Sequence, residues 1–119
     1  ILVALAVILL VHMSGHVHAA QVHVSSEAEL NQYLQSNPVV FLLISAKWCP
    51  HCKKMKPVVE QLTQELKNVL FVNIDADTGS LADKYAPQGF PTVKVYKNGR
   101  MVRSVVGEQS KSALRSLIG

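Results

Sequence analysis

Cysteine is scarce in this sequence: its 119 residues contain only Cys49 and Cys52. A structural zinc site needs four ligands, so two further Cys or His residues at a second suitably spaced pair would be required. The histidines outside the cysteine pair stand apart near the N-terminus and show no such spacing: His12, His16, His18 and His23. We therefore predict no metal and no other cofactor. A redox-active dithiol and a static structural disulfide remain as interpretations, and the sequence around the two cysteines favours the dithiol.

Charge is absent from the first part of the chain. Residues 1–20 contain no Lys, Arg, Asp or Glu, begin with an apolar run over 1–11 and end in the small residues Ala19-Ala20. This pattern is typical of a secretory signal peptide, cleaved after Ala19 or Ala20, and the missing arginine disfavours a mitochondrial presequence. Since a bilayer span takes about 20 residues, an uncleaved membrane anchor would require further residues upstream.

The signal-peptide interpretation predicts a location outside the cytoplasm, whether secreted, periplasmic or in the lumen of the secretory pathway. Cys49 and Cys52 would then lie outside the reducing cytosol. No stable membrane contact is expected unless residues 1–11 belong to an uncleaved anchor, which is the alternative.

Aromatic residues are few, at 6% of the sequence, and they do not alternate with the lysines. Nucleic-acid binding is therefore a poor interpretation of the net charge of +4. Four lysines accompany the two cysteines, and they can either solvate a helix face or attract acidic segments of a protein partner. These are Lys47, Lys53, Lys54 and Lys56.

The length suffices for one domain, which we assign to residues 21–119. No internal repeat or low-complexity segment appears. The chain has neither a spare cysteine nor a heptad pattern that would indicate an obligate oligomer, so a monomer is expected.

The two cysteines lie between a predicted strand and a predicted helix. Residues 39–44 are apolar and rich in β-branched side chains, which is typical of a buried strand. Residues 52–67 have apolar side chains at helical spacing, at positions 55, 58, 59, 62 and 66. Cys49 is therefore expected at a helix N-terminus, where unpaired backbone N–H groups stabilise a thiolate. Cys52 lies one turn later, within reach of Cys49, and His51 adds a hydrogen-bond donor or a positive charge beside the thiolate.

Strand and helix patterns alternate along the rest of the domain. Strands are predicted at 21–24, 69–74, 91–96 and 101–106, and further helices at 26–35, 80–85 and 110–118. Asn98-Gly99 between the last two strands indicates a hairpin. This order predicts an α/β domain whose mixed central sheet has helices on both faces.

The domain resembles the thioredoxin family. The resemblance is carried by Trp48-Cys49-Pro50-His51-Cys52-Lys53, Pro57, Asn73-Ile74-Asp75, Gly89-Phe90-Pro91-Thr92, Lys97-Asn98-Gly99 and Val106-Gly107, in family order. It implies a thioredoxin fold and a protein-disulfide oxidoreductase, with Cys49 as nucleophile and Cys52 as resolving thiol. It also implies that Pro91 is a cis-proline packed against the dithiol, and that Trp48 and Phe90 contact the substrate.

The sequence departs from the thioredoxin pattern in two places. Thioredoxins usually carry a buried aspartate beneath the resolving cysteine, where this sequence has Leu43. The residues between the cysteines are Pro50-His51 instead of the Gly-Pro of reducing thioredoxins, and Pro-His resembles strongly oxidising thiol oxidases of the DsbA type. Reduction potentials of the two types are about −270 mV and about −120 mV. We expect an intermediate potential.

The sequence thus predicts an enzyme that oxidises or isomerises protein thiols and disulfides in an exported compartment. Its partners would be those proteins and an unidentified protein that recycles the dithiol. One alternative is a general thioredoxin-type reductase. Another is a non-enzymatic chaperone or binding module that uses the apolar surface of Trp48, Phe90 and Pro91.

Overall fold

The computed structural model describes residues 21–119, so the predicted signal peptide or anchor within residues 1–20 lies outside the described part. The chain forms β1 Gln21–Val24, α1 Glu27–Ser36, β2 Val39–Ser45, α2 Pro50–Glu65, β3 Leu70–Asp75, α3 Leu81–Tyr85, β4 Thr92–Lys97, β5 Arg100–Val106 and α4 Lys111–Ile118. A short 3-10 turn, Ala76–Thr78, follows β3. Within residues 21–119, no helix has the length and apolar character needed to cross a membrane.

The five strands form one mixed sheet in the order β1-β3-β2-β4-β5. β1, β3 and β2 run parallel, while β4 pairs antiparallel with β2 and β5 pairs antiparallel with β4. The parallel pairs require helical crossovers, which α1 and α2 supply, whereas β4 and β5 need only a tight turn. Asn98 and Gly99 make that turn with φ of 54° and 81°. The predicted mixed sheet and hairpin are confirmed.

Hydrophobic side chains fill both faces of the sheet, as the central strand β2 shows. Val40, Leu42 and Ile44 point to one face, where they pack with Leu30 and Leu34 of α1. The intervening side chains of β2 point to the opposite face and pack with residues of α2 and α4, in a cluster that contains Phe41, Leu43, Met55, Val59, Leu62, Phe71, Val93, Val95, Leu114 and Ile118. Because β2 is buried on both sides, its sequence is continuously apolar. Helices on both faces were predicted and are confirmed.

The helix boundaries differ slightly from the predicted ones. α2 begins at Pro50, two residues before the predicted start at Cys52, and it ends at Glu65. Proline is favoured in a first helical turn because its missing N–H would have no intrahelical partner there. A capping box opens α1: Glu29 N donates to Ser26 Oγ at 3.2 Å, and the Glu29 carboxylate accepts from Ser25 N.

Candidate active site

Cys49 is the N-cap residue of α2, as predicted. Its backbone is extended, with φ −85° and ψ 114°, and its side chain takes the place that Ser or Asp oxygens occupy in ordinary caps. The Cys49 Sγ accepts a hydrogen bond from Cys52 N at 3.2 Å. An N–H group that donates to sulfur favours the anionic form of that sulfur, and the dipole of α2 acts in the same direction.

Cys52 lies one turn into α2 and has a different environment. Its side chain is 1% exposed, and both cysteines are free thiols. Burial, the largest cause, and the hydrogen bond with Cys49 together raise the pKa of Cys52 to about 11. The backbone N–H of Ala46 and the charge of Lys56 act in the opposite direction but do not outweigh burial. Cys52 is therefore a neutral thiol at neutral pH, and it must lose a proton before it can attack another sulfur.

The loop before β4 completes the surroundings of Cys49. The Phe90-Pro91 peptide bond is cis, as the resemblance implied, and the Cys49 thiol donates to Phe90 O at 3.7 Å. Gly107 N donates to Pro91 O at 2.8 Å, which ties this loop to the end of β5. The backbone of Phe90 thus lies beside the sulfur. Its pairing with an extended substrate chain stays a prediction.

Trp48 forms an exposed apolar surface next to the dithiol. Its side chain is 66% exposed, and its ring meets the Phe90 ring edge to face, with centroids 5.9 Å apart and an interplanar angle of 81°. Cys49 lies beside this pair and is only 4% exposed. An exposed indole next to a nearly buried sulfur suits contact with an apolar segment of another protein, the role predicted for Trp48.

His51 has a partner that sequence analysis missed. Its Nδ1 lies 2.9 Å from Oε1 of Glu108, which follows β5 and is 57 positions away in the sequence. We predicted that His51 acts on Cys49, but the described hydrogen bonds of Cys49 Sγ come from Cys52 N and go to Phe90 O. No sequence signal identified Glu108, because contact between such distant residues depends on the sheet order.

Leu43 is buried, 2% exposed, at the position where thioredoxins usually carry an aspartate. It lines a cavity of about 240 Å³ together with Lys56 and several polar side chains, Ser45, Glu60, Asn73 and Asp75 among them. Within the described residues, Asp75 Oδ1 is buried without a hydrogen-bond partner. The cavity therefore offers polar groups on the α2 side of the sheet, although position 43 itself supplies no proton acceptor.

A Leu43→Asp variant is expected to lose about 3 kcal/mol or more of unfolding free energy, because it removes apolar contacts and buries a carboxylate. The same carboxylate would accept the Cys52 proton, so a mixed disulfide on Cys49 should resolve faster at neutral pH. Urea denaturation measures the first effect and the lifetime of the mixed disulfide the second. Leu43→Asn is the control, with similar volume and no charge. Equal lifetimes in the two variants would contradict the proton-acceptor explanation.

The described histidine and acidic side chains do not form a metal centre. Within residues 21–119, no three His, Cys, Asp or Glu side chains are grouped closely enough to hold a metal ion. The lysines beside the dithiol are exposed, and Lys47 N donates to Asp77 Oδ2 at 2.7 Å. The two sulfurs of the dithiol lie in unlike environments.

Comparisons with known proteins agree with this geometry. The family model Thioredoxin matches residues 21–119. A thioredoxin of Mycoplasmoides gallisepticum is 32% identical over 97 residues, which cover 81% of this chain and 97% of that protein. A thioredoxin of Bacillus subtilis is 40% identical over 85 residues, 70% of this chain and 82% of that protein. A solved structure of a mutant thioredoxin from Halobacterium salinarum superposes with a TM-score of 0.74 at 35% identity, covering 82% of this chain and 87% of that one.

Proposed function

This chain belongs to the thioredoxin family, and we propose that it oxidises or isomerises protein disulfides in an exported compartment. The general activity, thiol-disulfide exchange of the thioredoxin type, follows from the family. The direction of exchange and the compartment are our proposal. One observation carries the direction: a Cys-Pro-His-Cys dithiol capping a helix, with Leu43 in place of a carboxylate.

The exchange proceeds in two balanced steps. In reduction, the Cys49 thiolate attacks one sulfur of a target disulfide, forms a mixed disulfide and releases the other sulfur as a thiolate. Cys52 then loses its proton and attacks Cys49 Sγ, which releases the second target thiolate and leaves a Cys49–Cys52 disulfide. The target gains two electrons and the enzyme loses two. Oxidation of a target dithiol is the reverse sequence.

The thermodynamic direction depends on which form of the dithiol is more stable. Groups that stabilise the Cys49 thiolate stabilise the reduced enzyme, so they make its disulfide a stronger oxidant. The N–H group of Cys52 and the α2 dipole both act in this way. Leu43 adds no negative charge at the position where thioredoxins usually carry a carboxylate. These features favour a potential above that of reducing thioredoxins.

Titration in glutathione buffers tests the direction. We expect a midpoint between about −270 mV and about −120 mV, the values of thioredoxin and of a strong thiol oxidase. The fraction of reduced dithiol can be followed by trapping free thiols and measuring the intact mass. A potential at or below about −270 mV would overturn the oxidising or isomerising role.

Similarity to proteins named thioredoxin favours one other candidate, a general disulfide reductase. Thioredoxin-type proteins act on protein disulfides with a reductase as partner. Coupled turnover would separate the candidates: a reductase must be reduced rapidly by a pyridine-nucleotide-dependent thioredoxin reductase, whereas an oxidant or isomerase need not be.

The proposed compartment is supported by the composition of residues 1–20 alone. N-terminal sequencing of the protein isolated from its source tests it. A mature chain that begins at Ala20 or Gln21 is the expected result. A mature chain that retains the uncharged segment would contradict cleavage, and fractionation would then show whether the protein stays with the membrane.

A further inference from the structure

The contact between His51 and Glu108 joins the active-site helix to the segment between β5 and α4. The two atoms involved, His51 Nδ1 and Glu108 Oε1, are 2.9 Å apart, and the two side chains are 66% and 39% exposed. His51 is the second residue of α2 and lies between the two cysteines in sequence. A carboxylate therefore reaches the only titratable side chain between the redox-active sulfurs.

The backbone around Glu108 holds this carboxylate in place. On one side, Gly107 adopts φ +103° and donates through its N–H to Pro91 O at 2.8 Å. On the other side, Ser110 caps α4, since its hydroxyl accepts from Ala113 N at 3.2 Å. Glu108 thus lies between a glycine that is hydrogen-bonded to the cis-proline loop and the N-cap of α4.

Two elements supply charged groups to the cleft that His51 lines. The cleft between α2 and the segment 107–110 is lined by His51, Lys54 and Glu108 together with uncharged residues. Lys54 contributes a positive charge from α2, Glu108 a negative charge from the segment after β5, and Cys49 lies at the start of the same helix. The loop at Phe90 and Pro91 supplies only backbone and apolar groups. Glu108 is therefore the one carboxylate that lines this cleft, within the described part of the chain.

We propose that Glu108 is a positioning residue that binds the imidazole of His51 and, through this contact, makes the dithiol less oxidising. The inference rests on the proposed function, because it concerns how oxidising the dithiol is. In the described structure, the hydrogen bonds of Cys49 Sγ come from Cys52 and go to Phe90, while His51 is engaged by the carboxylate. A Pro-His dithiol with this carboxylate is accordingly less oxidising than the same dithiol without it.

Removal of the charge at Glu108 tests this role. In the measured equilibrium, the enzyme disulfide and two molecules of reduced glutathione convert to the enzyme dithiol and one molecule of glutathione disulfide. A Glu108→Gln variant keeps the shape of the side chain and loses its charge, so the Cys49 thiolate and the reduced enzyme become more stable. We expect the equilibrium constant to shift toward the dithiol roughly two- to fivefold, the range of an exposed ion pair. The rate of Cys49 alkylation at pH 6 should rise by a similar factor.

Three further variants identify the cause of the shift. Glu65→Gln removes a carboxylate at the far end of α2, where it pairs with Lys111 and Arg115, and it should leave the equilibrium constant unchanged. Glu108→Asp keeps the charge and should return the constant toward the parent value. In a His51→Gln background, Glu108→Gln should have a clearly smaller effect, which a double-mutant cycle reports as coupling between the two residues.

Three results would overturn the inference: no shift in Glu108→Gln, a shift toward the disulfide form, or a shift of the same size with and without His51. These outcomes are distinct from failure of the proposed function. The double-mutant cycle measures only differences between variants and the parent, and these differences can be measured whatever the reduction potential of the parent is. A parent that titrates at the potential of a reducing thioredoxin would contradict the oxidising role and leave the effect of Glu108 measurable.

Discussion

A Cys49→Ser variant is expected to lose insulin-reduction activity by about a thousand-fold or more, since removal of a nucleophile removes the covalent step itself. Serine at this position can still cap α2 by accepting from Cys52 N, so the helix start is preserved. Its hydroxyl cannot attack a disulfide at neutral pH. The turbidity of reduced insulin, measured with dithiothreitol as the electron source, reports the activity.

The same variant must be shown to fold before its inactivity is interpreted. The Cys49 side chain is 4% exposed and sits in a small cluster with Ala46 and Cys52, so an oxygen in place of sulfur changes little packing. Circular dichroism and the urea midpoint should stay close to those of the parent. Activity within about tenfold of the parent, in a folded variant, would contradict the assignment of Cys49 as nucleophile.

Those features of the fold that depend on patterns of neighbouring residues could be predicted from the sequence. β2 is continuously apolar because helices cover both faces of the sheet, and the Asn98-Gly99 turn follows from the positive φ that both residues adopt. The predicted start of α2 was wrong by two residues, because the prediction relied on the spacing of apolar residues and these mark only the buried face of a helix. Its first turn, Pro50 and His51, is exposed and carries no such spacing.

The candidate site was predictable to the extent that its residues are neighbours in sequence. Cys49 at the helix cap and Cys52 one turn later follow from the strand-then-helix pattern. The cis bond before Pro91 came from the resemblance, because physical reasoning assigns cis to only about 5–6% of X-Pro bonds. Glu108 was missed as a partner of the site, whereas Lys56 was predicted beside the dithiol as one of four lysines. The contact of Glu108 with His51 depends on the position of β5 at the sheet edge. The effect of Lys56 on the pKa of Cys52 depends on the burial of Cys52.

The two sulfurs lie in unlike environments and therefore perform different steps of the reaction. Cys49 has an N–H donor and a helix N-terminus, whereas burial raises the pKa of Cys52 to about 11. The pKa of Cys52 rises because burial penalises the charged thiolate. Cys52 therefore stays protonated well above neutral pH. Cys49 therefore performs the attack on a target, while release of the target waits for deprotonation of Cys52.

A Cys52→Ser variant should consequently retain its target as a mixed disulfide on Cys49. The first step is unaffected, since Cys49 keeps its cap position and the target loses one thiolate as before. The second step has no sulfur to perform it. We expect a nearly stoichiometric covalent complex with a disulfide-bearing peptide, visible by intact mass and dissolved by dithiothreitol, whereas the parent should show almost none at equilibrium.

The pH dependence of the parent provides an independent check of the same assignment. In the parent, the lifetime of the mixed disulfide should shorten as pH rises from 7 to 9, because the thiolate fraction of Cys52 grows about tenfold per pH unit below its pKa. In Cys52→Ser this dependence should disappear. The double variant Cys49→Ser/Cys52→Ser, which has no thiol within the whole sequence, is the matched control and should form no complex.

A Cys52→Ser protein that releases its target as fast as the parent would mean that resolution does not occur at Cys52. An external thiol would then have to complete the reaction, and the buried second cysteine would have only a structural part in it.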